Sequence, residues 1–398
     1  MSTSYAPMIG RLQKAAVAFA VTFALSACTT TQSNISTAAP EATLMDRARA
    51  IHQQSLVLDA HADIVLPTTS RTYLAADGLS KVDPAKLKAG NVGAVVMSVA
   101  VGPGPRTAEG HAQARSEADE KLAAVLQLAK ADNRLEIARS PSEIATLGDS
   151  GKIVLILGFQ NARSLGGDIA VLDHFYNSGV RVFGLNHLGH NDFSDSSRPV
   201  FNGETSAYEI AEEHGGLSPL GVAAIRRLNA LGGIVDVSQM SKAATLQTID
   251  LSKAPVIASH SNVRKLSDVS RNLSDEEIDL IARTGGVIHL AAFGAYLVDL
   301  SDPELLASIR EVRRNAGLPE AYSYPYELYW EIPDKTKRQS FLFAMRNVIG
   351  PGSIKRLIDH IDYVVDRVGI DHVGIGSDFN HGGGIAGFTD ASEALNIT

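Results

Sequence analysis

The chain has 398 residues, of which 45% are hydrophobic, 20% charged and 6% aromatic; 36 Lys and Arg against 44 Asp and Glu give a net charge of −8. That apolar fraction excludes a disordered or low-complexity protein, and the mild acidity argues against nucleic acid as a partner. A single cysteine excludes an internal disulfide framework and any Cys-based metal cage.

Residues 1–27 read as a secretory signal. Arg11 and Lys14 precede the apolar run AAVAFAVTFALSA, which is too short for a mature transmembrane helix. The run ends in Leu25-Ser26-Ala27-Cys28, which resembles a bacterial lipobox, so Cys28 is the expected site of lipidation. Thr29 in place of an Asp after the cysteine favours the outer membrane over the inner one. Residues 28–43, rich in Thr, Ser, Ala and Pro, form the expected tether that holds a periplasmic domain off the bilayer. Cleavage removes two positive charges and no acidic residue, taking the net charge from −8 to −10.

From residue 44 to 398 short apolar runs alternate with stretches of helical period. The runs are SLVLDAH (55–61), VGAVVMSVA (92–100), KIVLILGF (152–159), VRVFGLNH (180–187), GIVDVSQ (233–239), PVIASH (255–260), GVIHLAAF (286–293) and HVGIGSDF (372–379). Near-continuous Val, Ile and Leu in runs this short predict parallel strands buried on both faces. AEGHAQARSEADEKLAAVLQLAK and SPLGVAAIRRLNAL carry amphipathic helical patterns, and Ser274 with Glu277 marks a capped helix start. Eight such units predict an α/β fold, a (β/α)8 TIM barrel, rather than a doubly wound sheet. Walker and G-x-S-x-G patterns are absent from the chain. The segment 322–330 (YSYPYELYW) falls in a long insertion before the last run, read either as a cover over the barrel mouth or as packing on its outside.

Barrel enzymes place their chemistry at the carboxyl ends of the strands. Here those ends carry His61 and Asp63, then Gln160 with Asn161, His187, Gln239, His260, and Asp378 with Asn380. Three His and two Asp converging on one mouth suit Zn²⁺ or a similar divalent ion. His190 and His381 lie in loops from which a substrate is reachable. His174, His214 and His360 read as structural, and His289 as a core residue.

DAHAD, VRVFGLNH, GLSPLG, GGIVDVS, APVIASHS, SRNLSDEEI and DHVGIGSDF together resemble the membrane dipeptidase (renal dipeptidase) family, in matching order from about residue 50 onward. The resemblance implies a TIM barrel with two zinc ions bridged by a glutamate, cleaving dipeptides that often carry a D- or dehydro-residue at the C-terminal position. It implies His61 and Asp63 as ligands of the first ion and His260 of the second. It further implies His187 beside the scissile carbonyl, Arg271 on the substrate carboxylate, and Asp378 as the general acid/base. The partners it implies are a dipeptide or related small amide and a second copy of the chain in a homodimer, with the membrane reached only through the lipid.

Two positions depart from the family pattern. Gln160 stands where the bridging glutamate belongs, and Gln239 where the second ion's other histidine belongs. A neutral amide cannot bridge two divalent ions as a carboxylate does. Three readings follow. One is a mononuclear hydrolase on His61, Asp63 and Asp378, aided by the Gln160 carbonyl. Another is a barrel that binds or modifies a different amide-containing ligand. The last is an altered binuclear site that recruits water or Asn380. Family members also continue past the last strand motif with a further helix and tail, so a missing C-terminal helix is expected to expose apolar surface between the first and last strands.

Overall fold

Strand burial dictates the architecture. The computed structural model describes residues 43–202, 207–318, 332 and 334–398; residues 1–42, with the signal, Cys28 and nearly all of the tether, lie outside these, as does 322–330. The strands are β1 (Val57–Asp63), β2 (Val92–Ala100), β3 (Leu135–Ala138), β4 (Ile153–Gln160), β5 (Val180–Gly184), β6 (Phe201–Asn202), β7 (Ala207–Tyr208), β8 (Ile234–Asp236), β9 (Ile257–Ala258), β10 (Val287–Ala291) and β11 (Val373–Gly376). All eight residues of β4 are buried, as its unbroken apolar run requires of a strand covered on both faces.

Hydrogen bonding runs β1-β2-β4-β5-β8-β9-β10-β11, all parallel, with β3 a ninth strand beside β4 and β6–β7 a separate antiparallel pair. β1 meets β11 through a parallel bridge between Ala62 and Phe379. There Asp63 N–H donates to the Phe379 carbonyl at 2.9 Å, and Asp378 N–H to the His61 carbonyl at 3.0 Å. This is a (β/α)8 barrel, and its seam brings His61, Asp63 and Asp378 together.

The helices are α1 (Leu44–Gln54), α2 (Pro84–Ala89), α3 (Ala108–Ala131), α4 (Pro141–Asp149), α5 (Val171–Asn177), α6 (Pro219–Leu231), α7 (Lys242–Leu251), α8 (Asp275–Arg283), α9 (Pro303–Asn315), α10 (Lys335–Ile349) and α11 (Ile354–Val368). In α3, Thr107 caps the first turn, and Ala114, Ala118, Leu122 and Val125 form the buried stripe that a 3.6-residue period places on one face. Helix α6 starts on Ser218 with Pro219 at its first position, where no N–H is needed, and stops at Gly232 with φ 81°. The Ser274–Glu277 capping box starts α8. Among the described residues no helix is long and apolar enough to cross a membrane.

After β11 the chain ends in a 3-10 turn, Ala391–Ile397, against α2. Where apolar surface was expected between the first and last strands, a cavity of about 360 Å³ is lined by Val57, Val92, Val287, Val373, Ile375 and Phe388.

Candidate metal centre

His61 and Asp63 end β1 two residues apart, so a strand's alternation puts both on one face. Both are buried. His61 Nε2 lies 3.3 Å from Asp63 Oδ1. Two ligand atoms about 2.0–2.1 Å from one tetrahedral ion stand about 3.3–3.4 Å apart, so the pair is spaced to share a cation. Asp63 Oδ1 is buried and accepts no hydrogen bond of ordinary geometry, an arrangement that costs free energy unless a cation satisfies it. Its Oδ2 lies 3.0 Å from His381 Nδ1. Burial pushes the Asp63 carboxyl up, but His381 and His61 outweigh this and hold it well below the usual carboxylate range.

Asp378 follows β11 with φ 55°, a left-handed backbone that costs a non-glycine residue roughly 1–3 kcal/mol. The loop after it folds back tightly: a Cβ at Gly383 would sit 2.1 Å from the Ser377 carbonyl oxygen and 2.4 Å from that of Asp378. Burial raises the Asp378 pKa, opposed by His61 and His381. Ligand atoms of His61, His260 and Asp378 all fall within 4.8 Å of one another. Although burial opposes it, Asp63, Asp378 and Asp236 raise the pKa of His61, and that same acidic field favours a cation.

His260 stacks on His61 at 3.8 Å, but its hydrogen bonds point to a different use. Arg198 Nη2 donates to Gln239 Oε1 at 2.6 Å. Arginine has no acceptor, so Gln239 turns its carbonyl to Arg198 and its amide nitrogen to His260 Nε2, 3.1 Å away. His260 Nε2 therefore accepts, and its proton sits on Nδ1, which donates to Ser259 Oγ at 2.7 Å. The Ser259 hydroxyl donates in turn to Asp236 Oδ2 at 2.5 Å. Gln160 Nε2 also faces His260 Nε2, at 3.3 Å. Two amides thus occupy the lone pair that a second ion would need. His61 Nδ1 reaches the same Ser259 oxygen at 3.3 Å, leaving its Nε2 lone pair toward Asp63. His61, Asp63 and Asp378 offer donor atoms to a cation, whereas the His260 Nε2 lone pair faces the amides of Gln239 and Gln160.

Around this centre stand groups suited to an organic ligand. His187 is buried, with Nδ1 lacking a hydrogen-bond partner. Burial, then the charges of His381 and Arg198, hold its pKa well below the ordinary histidine value, so it is neutral. Its ring meets His381 edge-on at 4.8 Å, and Tyr73 stacks on His381 at 5.4 Å. Arg271 is buried over the Tyr296 ring, donating to Ser261 Oγ at 2.9 Å and to the His260 carbonyl at 2.5 Å. Its Nε has no partner. A cavity of about 440 Å³ opens beside His381 between Tyr73, Leu188, Phe293, Leu342 and Arg346.

Comparison with known proteins places this centre in context. The family described as membrane dipeptidase (peptidase family M19) matches residues 45–398. The chain belongs to the membrane dipeptidase family. Among solved structures it is similar to the probable dipeptidase PvdM from Pseudomonas aeruginosa, with 34% identity, a TM-score of 0.78, and 89% of this chain and 90% of that one covered. A metallo peptidase from Rhodobacter sphaeroides, solved with a phosphinate mimic of the dipeptide L-Ala-D-Ala, shares the fold at 21% identity and a TM-score of 0.62, covering 86% of this chain and 90% of that one. The dipeptidase verJ of Clonostachys rogersoniana is 27% identical over 248 residues, 62% of this chain and 48% of its own. The chain spans about half the length of the curated relatives it matches first.

Within this membrane dipeptidase barrel, His61, Asp63, His187, His260, Gln160, Gln239 and Asp378 are buried at or just beyond the strand ends, and Arg271 is buried in the loop between β9 and α8. The Asn380 amide is engaged in the loop around the centre. Its Nδ2 donates to the Asp63 carbonyl at 2.8 Å and to Ser80 Oγ at 3.0 Å, while Oδ1 accepts from Lys81 N–H at 2.9 Å. The two loop histidines part company. His381 reaches the centre, whereas His190 bonds the Ile210 carbonyl at 2.7 Å and accepts from Ser196 N–H at 3.0 Å. His289 donates to the Ala258 carbonyl below the centre, and His174 and His214 lie in outer contacts with Asp119 and the Asn191 carbonyl. Sequence reasoning missed Arg198, Ser259, Asp236 and Tyr73. Asp236 and Ser259 lie inside the DVSQ and ASHS motifs and were within reach of a reading that asked what orients each histidine. Arg198, in an irregular SDSSR loop, carried no signal.

Proposed function

We propose that the protein is a one-ion hydrolase that cleaves the amide bond of small dipeptides, including those with a D- or modified C-terminal residue. The observation that carries this is the unsatisfied Asp63 Oδ1 facing His61 Nε2 beside Asp378, with Arg271 nearby and no carboxylate among its hydrogen-bond partners. One divalent ion, zinc in this reading, held by His61, Asp63 and Asp378, would supply Lewis acidity to polarise a carbonyl and acidify water.

The chain's own residues do the rest. Arg271 offers a guanidinium with a free donor to the substrate carboxylate, a charge-assisted contact that sets register. Neutral His187 presents one N–H to the scissile carbonyl oxygen, where negative charge develops. Asp378 takes a proton from the attacking water and returns it to the departing amine as the C–N bond breaks, leaving a carboxylate and an amine.

A dipeptide library assayed for free amino acids in the presence of zinc tests this. Wild type is expected to release product, Asp378→Asn to lower kcat by about 10²–10⁴-fold, and Arg271→Met to act chiefly on KM. Tight Arg271-dependent binding without product on long incubation would instead mean a binding barrel. The lipobox-like Leu25–Cys28 supports a lipid anchor at Cys28, and Thr29 after it favours the outer membrane, so a palmitate analogue should label wild type and not Cys28→Ala. The homodimer implied by the family would appear in light scattering as twice the chain mass.

A further inference from the structure

Resting on the one-ion reading, we infer that Arg198 is the residue that specifies a single ion: its guanidinium takes the place of the second cation and locks Gln239 and His260 against metal. The two glutamines alone explain missing ligands. They do not explain why His260, Ser259 and Asp236 remain assembled as if around something positive.

The hydrogen-bond chain supplies the answer. Every donor in it points one way, from Arg198 through Gln239, His260 and Ser259 to the Asp236 carboxylate. It begins on a permanent cation and ends on an anion. Arg198 is buried, its guanidinium 6.0 Å from the centre of the Tyr296 ring and 3.4 Å from the Tyr296 hydroxyl; Tyr296 also carries Arg271 on its face. Unlike lysine, arginine cannot shed its charge when buried. The fork therefore keeps the Gln239 carbonyl toward itself, forces the amide toward His260 Nε2, and leaves a positive charge beside the place where another ion would have to enter. Arg198 acts through Gln239 and is a positioning residue.

The test reads metal binding rather than activity. Purified protein carrying one zinc equivalent is titrated with Cd²⁺, whose binding is followed by calorimetry. Arg198→Met should tighten binding of the second equivalent at least about tenfold, since it removes a buried positive charge that would repel that ion. Arg198→Lys, which lacks the fork and can lose its proton when buried, should fall between wild type and Arg198→Met. In a second arm, Gln160→Glu with Gln239→His should remain at about one ion per chain, and adding Arg198→Met should bring it to about two, the complement that a two-ion site holds. Thermal melts identify any variant that fails to fold, and the single variants stand without the triple. Equal second-equivalent affinity in wild type, Arg198→Met and Arg198→Lys would overturn the inference, as would two ions in the double variant. Two tightly held ions in wild type would instead overturn the one-ion reading beneath it.

Discussion

Ser259→Ala is the perturbation that most sharply tests how the centre is oriented. One hydroxyl serves three groups: it donates to Asp236 Oδ2 at 2.5 Å and accepts from Nδ1 of His260 at 2.7 Å and of His61 at 3.3 Å. Alanine leaves two imidazole N–H groups without acceptors and removes one of the three donors on Asp236, which keeps the Ser238 and Ser259 N–H groups at 2.9 Å. Leaving a buried donor unsatisfied costs about 1–3 kcal/mol. The 3.3 Å bond is long and weak, so the ion-free protein should lose about 2–3 kcal/mol in all. The imidazole of His61, released at Nδ1, should then hold its ion less well. Loss of such supporting hydrogen bonds typically weakens metal affinity about 10–100-fold. Zinc affinity by chelator competition and urea unfolding with chelator present measure the two effects separately. Unchanged zinc affinity in a variant that is destabilised as expected would refute the claim that Ser259 orients a metal ligand.

Two further outcomes follow from groups outside the ligand set. His360 is fully buried in the apolar stripe of α11, accepting from Val263 N–H at 3.1 Å, and burial holds its pKa down at about 3. Its folded pKa lies below the unfolded one, so below about pH 6.5 the unfolded chain takes up a proton that the folded chain refuses. Stability is present above that pH and falls toward pH 3, by about 2 kcal/mol at pH 5. Urea midpoints of chelator-treated protein at pH 8 and pH 5 should show this slope, and His360→Gln should flatten it. Asn380→Ala should cost about 2–4 kcal/mol through three lost hydrogen bonds yet leave metal content unchanged; loss of the ion would restore Asn380 as a ligand.

The barrel was legible because parallel strands buried on both faces leave unbroken apolar runs, and β2 fell on 92–100 as read. The ends were read too long for a physical reason. β8 stops at Asp236 and β9 at Ala258, two or three residues before Gln239 and His260. Asn161, Gln239, Asp378 and Asn380 take positive φ at or just beyond the strand ends. The chain thus leaves the ladder as it enters the site, while its residue pattern continues. β3 was missed because Leu135–Ala138 is four residues long with an exposed Glu136 at its second position. Polar residues at strand ends announced the ligand candidates. What orients them was less visible, since Arg198 acts from an irregular loop and its contact with Gln239 spans 41 residues.

We propose one ion where the membrane dipeptidase pattern implies two. Elemental analysis of purified protein, saturated with zinc and then passed over a desalting column, addresses it directly. About one zinc per chain is expected, lost in His61→Ala and Asp63→Ala and retained in His260→Ala, where the lone pair already faces Gln160 and Gln239. Two zinc ions per chain in wild type, one of them lost in His260→Ala, would contradict it.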